Sequence, residues 1–203
     1  SLPSPEVKAS FLGYKRSNGS VGTRNTIAIL TSVNCSATAA RMIAEHFTKS
    51  KIAKYPNIDG VNAFVHGTGC GMADSGEGFE TLQRVMWGYA KNPNVAAVLM
   101  VGLGCEMNQI DWLLDAYQIE KGPLFQVLNI QQVSGLKKTI ELGIKKVTEM
   151  LPLVNEHSRT TCPISSLMVG LQCGGSDAWS GVTANPALGY ACDLIVGQGG
   201  TGV

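Results

Sequence analysis

The sequence predicts an α/β protein: a mostly parallel sheet with helices on both faces. Three observations predict it. Short apolar runs recur along the chain, and they are apolar throughout rather than alternating, which marks strands buried on both faces. Segments with the apolar spacing of a helix stand between them. The 24 glycines of this 203-residue chain gather just after the apolar runs, where a strand would pass into a helix through a tight loop.

Each element follows from its own residues. Residues 1–25 are polar and turn-rich, and SNGS is a turn signal, so a lead-in arm or a hairpin between Phe11–Tyr14 and Ser20–Thr23 is expected. Thr26–Val33 (TIAILTSV) is a short β-branched run and reads as a buried strand. Ser36 is placed to cap a helix through ATAARMIAEHF. Val61–Val65 is a second strand, followed by HGTGCGM and a helix over Glu77–Ala90. Asn94–Leu103 is a continuous apolar strand, followed by GCEMNQ and a helix over Gln109–Gln118. Leu124–Ile130 is the fourth strand, and Ser134 opens a helix that Pro152 is expected to end near Leu151. A polar stretch, NEHSRTTCP, leads to a fifth strand at Ser166–Leu171, a helix near Asn185–Ala191 and a last strand at Asp193–Gly197. The expected domain runs from residue 26 to 203 as a Rossmann-like three-layer arrangement. A chain that stops on the glycine-rich GQGGTGV reads as a fragment of a larger multidomain protein.

Charge and composition remove several functions. Sixteen basic and 15 acidic residues leave a formal net charge of +1, which makes no electrostatic case for nucleic acid or an anionic membrane. No apolar run reaches the ~18 residues of a membrane span. The start, SLPSPEV, has no secretory pattern. Six cysteines in a long chain rich in buried-type runs read as reduced thiols, so a cytoplasmic location is expected. The glycines near Arg24 and those of GLGCE do not complete a dinucleotide-binding fingerprint, and no phosphate-loop sequence of the Walker type exists.

The cysteines carry the functional signal. Cys35, Cys70, Cys105 and Cys173 each stand a few residues past a predicted strand, in VNCSA, HGTGCGM, GLGCEMNQ and GLQCGGSDAWSG. In a parallel sheet the loops at the carboxyl ends of strands converge and bind ligands. One such cysteine is ordinarily a small buried residue in a tight turn. Four in equivalent positions point to a shared rim, provided that all four strands are parallel. Thiolates favour zinc, iron or iron–sulfur clusters, but these spacings are not the close-set pairs of a zinc ribbon or ferredoxin. Any metal site would be assembled from distant loops. Around the cysteines stand His66, Asp74, Glu77, Glu106, Asn108 and Asp177. Of the three histidines, His66 leads a glycine loop at a strand end, where imidazole can ligate a metal or move a proton; His46 and His157 read as surface residues. A Cys70–His66 nucleophilic pair has no third residue that sequence can identify.

GYKRSNGSVGTRNTIAILTSVNCSA, HGTGCGM, NPNVAAVLMVGLGCEMNQ and GLQCGGSDAWSGVTANPALG together resemble the altronate/galactarate dehydratase family, in order and from about Phe11 to Val203. The resemblance implies the central portion of a larger enzyme, flanked by further domains. It implies a hydro-lyase that removes water from a hexonate or hexarate to give a 2-keto-3-deoxy acid. It also implies iron, as a mononuclear ferrous ion or a cluster, or another divalent metal. On that reading Cys35, Cys70, Cys105 and Cys173 lie near the metal, and His66, Glu106 and Asp177 are the candidate acid and base groups. Arg24, Asn34, Asn108, Gln109 and Ser176 are the candidate substrate contacts, Arg24 as a carboxylate clamp. The expected partners are a small sugar acid, the other domains of the same polypeptide and further copies of it in a homo-oligomer. Two rivals stand beside this reading: elimination from sulfolactate by a related large subunit, and a non-catalytic assembly module.

Overall fold

The computed structural model describes residues 8–172, 174–175 and 177–203. The chain divides into two compact units. One is Gly22–Ser158; the other joins the residues up to Val21 with Arg159–Val203.

β1 (Ser10–Lys15) and β2 (Val21–Gly22) are the two arms of the expected hairpin, and the Arg16 N–H donates to Ser20 O at 2.9 Å across its turn. The Gly22–Ser158 unit then runs β3 (Thr26–Thr31), α1 (Ala37–His46), β4 (Gly60–Phe64), α2 (Glu77–Ala90), β5 (Val95–Gly102), α3 (Ile110–Tyr117), β6 (Phe125–Asn129) and α4 (Leu136–Asn155). Its four strands are all parallel, in the order β4-β3-β5-β6. This alternation confirms the α/β class, and the two central strands, β3 and β5, have the two-sided burial predicted for the apolar runs, whereas the edge strands β4 and β6 are only partly buried.

Each face of the sheet has its own core. Ile27, Ile29, Leu99 and Val101 pack with Ala40 and Ile43 of α1 and with Val147, Met150 and Val154 of α4. Ala28, Leu30, Val98 and Met100 pack with Met86 of α2 and with Ile110, Leu113 and Leu114 of α3. Strand side chains alternate between faces, so consecutive residues of β3 and β5 feed opposite cores.

α4 departs from expectation at its end. The helix passes through Pro152 and stops at Asn155. Proline in the last turn forfeits one hydrogen bond, and burial of Leu151 and Val154 offsets that loss. Side-chain amides also hold the last carbonyls: Asn25 Nδ2 donates to Val154 O at 3.0 Å and Asn57 Nδ2 to Asn155 O at 2.8 Å. Asn25 is fully buried, and its amide also donates to Asn57 O. Asn25→Leu would leave both carbonyls without this donor. We expect it to cost about 1–3 kcal/mol in urea unfolding, because Val154 O keeps the His157 N–H at 3.3 Å while the part-buried Asn57 O loses this donor.

α3 ends on Gln118 in the left-handed region (φ 50°), where the N–H of Gln118 reaches Asp115 O and that of Ile119 reaches Leu114 O. Glycine is the usual residue for such a cap. Gln118→Gly is therefore expected to raise stability by about 0.5–1 kcal/mol, read as a higher urea midpoint at unchanged slope.

In the other unit, β1 lies between β2 and the antiparallel β7 (Thr160–Pro163). β8 (Met168–Val169), α5 (Ala178–Val182), α6 (Ala184–Gly197) and β9 (Thr201–Gly202) follow. Two expectations fail here. The predicted fifth strand does not enter the main sheet: only β8 forms, and it pairs in parallel with β9. Met168 is 70% exposed, so this run lacks the two-sided burial of the central strands. The predicted strand Asp193–Gly197 is the last part of α6. Pro186 sits in that helix's first turn, where its missing N–H costs nothing, and the apolar run simply continues the helix. The glycines after it close the helix. Gly199 has φ 86°, its N–H donates to Val196 O, and that of Gly200 donates to Ile195 O.

Candidate functional site

The order β4-β3-β5-β6 places the reversal of strand order between β3 and β5, the position at which open α/β sheets bind ligands beyond the carboxyl ends of the strands. Three described cysteines stand there. Cys35 follows β3, Cys70 follows β4 and Cys105 follows β5, and all three are exposed. The helices that follow, α1, α2, α3 and α4, all begin at this rim and turn their positive ends toward it.

The loops are joined mainly through the backbone. The Asn34 N–H donates to Thr68 O at 2.8 Å, the Asn108 N–H to Gly69 O at 3.2 Å, and the Gln131 N–H to Leu103 O at 3.0 Å. The rim is thus one connected surface made by the four strand ends. Gly69, at φ 98°, lies so close to β3 that a Cβ would stand 2.3 Å from Ser32 O.

His66 is held at both nitrogens. Nε2 lies 2.8 Å from Thr31 O and Nδ1 accepts from the Thr68 N–H at 3.3 Å. A carbonyl only accepts, so Nε2 carries the proton and the lone pair is on Nδ1. Any proton taken by His66 in this pose enters at Nδ1 and displaces the Thr68 bond. Glu106 is buried and accepts from Ser32 Oγ and from the N–H groups of Leu103 and Gly104. Asn108 is buried beside it, with Nδ2 donating to Ser32 O at 3.0 Å and 3.1 Å from Met86 Sδ, while its Oδ1 has no partner among the described residues. Thr31 Oγ1 and Asn129 Oδ1, at the ends of β3 and β6, are also buried without a partner among the described residues. Buried polar atoms without partners are scarce in folded proteins, and they mark this edge of the sheet as unusual.

Asn34, Cys35, His66, Cys70, Cys105, Glu106, Asn108 and Gln109 thus come together on the loops of one sheet edge. Asp74 lies exposed between Cys70 and α2, and Glu77 is the exposed first residue of α2. Arg24 does not join them: it precedes β3, and its N–H donates to Asn94 Oδ1 at the opposite, amino edge. Asp177 belongs to the other unit and caps α5, with Oδ1 accepting from the Ser180 N–H at 2.8 Å. That bond and the Ser180 side chain hold its carboxyl below the usual carboxylate range. The cap is therefore present at neutral pH and is lost as pH falls through the lowered value. Protection of the Ser180 amide, its exchange measured against the intrinsic rate at the same pH, should fall on acidification and in Asp177→Ala at neutral pH. Cys173 and Ser176 lie outside the described residues.

Sequence reasoning did not single out Ser32, Thr31, Asn129 or Gln131. Gln131 Nε2 donates to Cys105 Sγ at 3.1 Å. The signal for Thr31 and Ser32 was present: two hydroxyl residues end a run of otherwise apolar side chains. The implied metal fits less well. Among the described residues no three His, Cys, Asp or Glu side chains gather into a group that could hold an ion. The described thiols are separate donors rather than a formed site. A cleft of about 640 Å³ lined by Val95, Phe125, Leu153 and His157 lies at the amino edge, away from this rim.

The sequence comparisons bear on the same rim. Residues 13–155, which include all three described cysteine loops, match the family model described as D-galactarate dehydratase/altronate hydrolase, second domain. The chain belongs to the galactarate dehydratase/altronate hydrolase family. Residues 164–203 match the model of the C-terminal domain of the same family. The galactarate dehydratase (L-threo-forming) of Escherichia coli (strain K12) is 39% identical over 98% of this chain and 39% of its own length. The altronate dehydratase of the same organism is 34% identical over 100% of this chain and 40% of its own length. The (2R)-sulfolactate sulfo-lyase subunit beta of Chromohalobacter salexigens is 33% identical over 95% of this chain and 45% of its own length. The chain thus spans about two fifths of the length of the curated relatives it matches. Among the described residues no helix is long and apolar enough to cross a membrane.

Proposed function

We propose that the full-length protein is a hydro-lyase that removes water from a sugar acid such as altronate or galactarate, and that the β3–β6 rim forms part of its active site. The observation that carries this reading is the family match over residues 13–155, the segment that builds the rim. In such a reaction a base takes the proton next to the carboxylate, the C3–O bond breaks, and the leaving hydroxyl departs as water once protonated. The enol left behind tautomerises to the 2-keto-3-deoxy acid.

The rim can bind and orient such a substrate. Helix N-termini suit carboxylates, and Asn34 and Gln109 offer amides to hydroxyls. His66 serves as the base at Nδ1 once the Thr68 N–H that occupies that lone pair is displaced. Asp177, held as a carboxylate, suits accepting a hydrogen bond more than giving a proton. The rest of the polypeptide, and further copies of it, are proposed to complete the site. Among the described residues no donors gather into a holder for a metal, and the roles given to these side chains do not depend on one.

The test is turnover of galactarate, altronate and sulfolactate by the anaerobically purified full-length protein, with and without added ferrous iron. Water loss from either sugar acid supports the proposal. Turnover of sulfolactate alone, or of none of the three, rejects it. Elemental analysis of Cys→Ser variants at positions 35, 70, 105 and 173 tests thiolate ligation. Iron content should fall wherever a ligand is removed, and content unchanged from the parent in all four variants would rule thiolate ligation out.

A further inference from the structure

Glu106 is placed unlike a group that exchanges protons with a substrate. It is only 2% exposed. Oε1 accepts from Ser32 Oγ at 2.5 Å and from the Leu103 N–H at 3.1 Å, and Oε2 accepts from the Gly104 N–H at 2.5 Å. Two of these donors are backbone groups of its own loop, and the third stands at the end of the neighbouring strand. Asn108 grips the same residue from the other side, its Nδ2 donating to Ser32 O. The loop is folded down with no room to spare, since a Cβ on Gly102 would lie 2.5 Å from both Glu106 Oε1 and Asn129 Oδ1.

Three accepted bonds tie this one side chain to two loops, and bonds to an ionised acceptor are roughly twice as strong as neutral ones. What they stabilise is a geometry. Ser32 lies two residues before Asn34, and Cys105 immediately precedes Glu106.

We propose that Glu106 is a positioning residue: with Asn108, its carboxylate clasps the β5–α3 loop to the end of β3 and fixes the register of the Asn34–Cys35 side of the rim against the Cys105 side. This inference rests on the dehydratase reading for its functional consequence, but the clasp itself is a property of the fold. It assigns Glu106 to the site without contact to substrate, and it brings in Ser32 as its partner.

The test compares full-length protein with Ser32→Ala, Glu106→Gln and the double variant. Two readouts are needed: residue-resolved amide exchange at Leu103 and Gly104, and turnover of galactarate and altronate as a function of pH. If Glu106 positions, exchange at both amides quickens about ten- to a hundredfold in Glu106→Gln, as expected for loss of a charge-assisted bond. Its kcat falls by a similar factor while both limbs of the pH profile persist, and the double variant loses less than the product of the two single losses. A kcat loss beyond about a thousandfold, with one pH limb removed and exchange unchanged, would make Glu106 the acid or base and overturn the proposal. If the protein turns over no sugar acid, the dehydratase reading fails by itself. The exchange measurement still decides the clasp: unaltered exchange at Leu103 and Gly104 in Glu106→Gln overturns it. Should Glu106→Gln fail to fold, Ser32→Ala carries the test, with faster exchange supporting the clasp and unchanged exchange refuting it.

Discussion

Gly69→Ala is expected to destabilise the Gly22–Ser158 unit by roughly 2–5 kcal/mol, the sum of backbone strain and overpacking. Gly69 has φ 98°, and a Cβ would meet Ser32 O at 2.3 Å and Val33 Cα at 2.8 Å. Both are backbone atoms at the end of β3, so no side chain can swing away to relieve the clash. The same loop supplies its own controls. Gly71 also has positive φ, at 62°, but a Cβ there meets nothing within 4 Å. Gly71→Ala should cost only the strain, about 1 kcal/mol. Gly67 has neither constraint, and Gly67→Ala should lie within about 0.5 kcal/mol of the parent. Urea unfolding of the three variants should rank them 67, 71, 69 in rising cost. A Gly69 variant as stable as the Gly67 variant would mean that the loop after β4 does not rest on β3.

The second large effect lies in the core. Leu99→Ala should cost about 3–5 kcal/mol, the range for truncating a fully buried leucine whose surroundings relax only in part. Leu99 is 0% exposed in a central strand and packs among residues of β3, α1 and α4. Met100, its neighbour in β5, is equally buried but faces the opposite core. Met100→Ala should cost a comparable amount, and the two losses should add only approximately, because adjacent residues share a strand. Leu12, 60% exposed on β1, provides the contrast, and Leu12→Ala should change the midpoint by less than about 0.5 kcal/mol. A Leu99→Ala cost near that of Leu12→Ala would contradict the two-core arrangement.

The α/β unit was legible because its signals agree at every level. The run Asn94–Leu103 is apolar throughout, and β5 occupies Val95–Gly102. Glu77–Ala90 has helical spacing after a glycine, and α2 has those same bounds. The misreadings come from residues whose local signal has two physical solutions. Asp193–Gly197 is short and β-branched, which suits a strand or the end of a helix, and the preceding turns of α6 decided the matter. Pro152 usually stops a helix, but buried Leu151 and Val154 carry α4 one turn further. At the site, strand ends and cysteine positions could be read because they depend on sequence order alone. The burial of Glu106 could not, since its donors Ser32, Leu103 and Gly104 come from two strand ends brought together by pairing of β3 with β5. Arg24 shows the converse. Its guanidinium suggested a carboxylate clamp, whereas the polarity of a parallel strand sends its start and its end to opposite edges.

The stitching of the rim has a consequence for how this scaffold diversifies. Asn34, Thr68, Gly69, Leu103, Asn108 and Gln131 join neighbouring loops through main-chain amides and carbonyls. Such bonds do not depend on the side chain at either end. Exposed positions such as 34, 68 and 131 can therefore be exchanged with the frame kept in place, so chemistry and architecture are free to drift at different rates. Relatives named as dehydratases and as a sulfo-lyase subunit, at 39%, 34% and 33% identity, fit a frame whose joints are indifferent to the residues it displays.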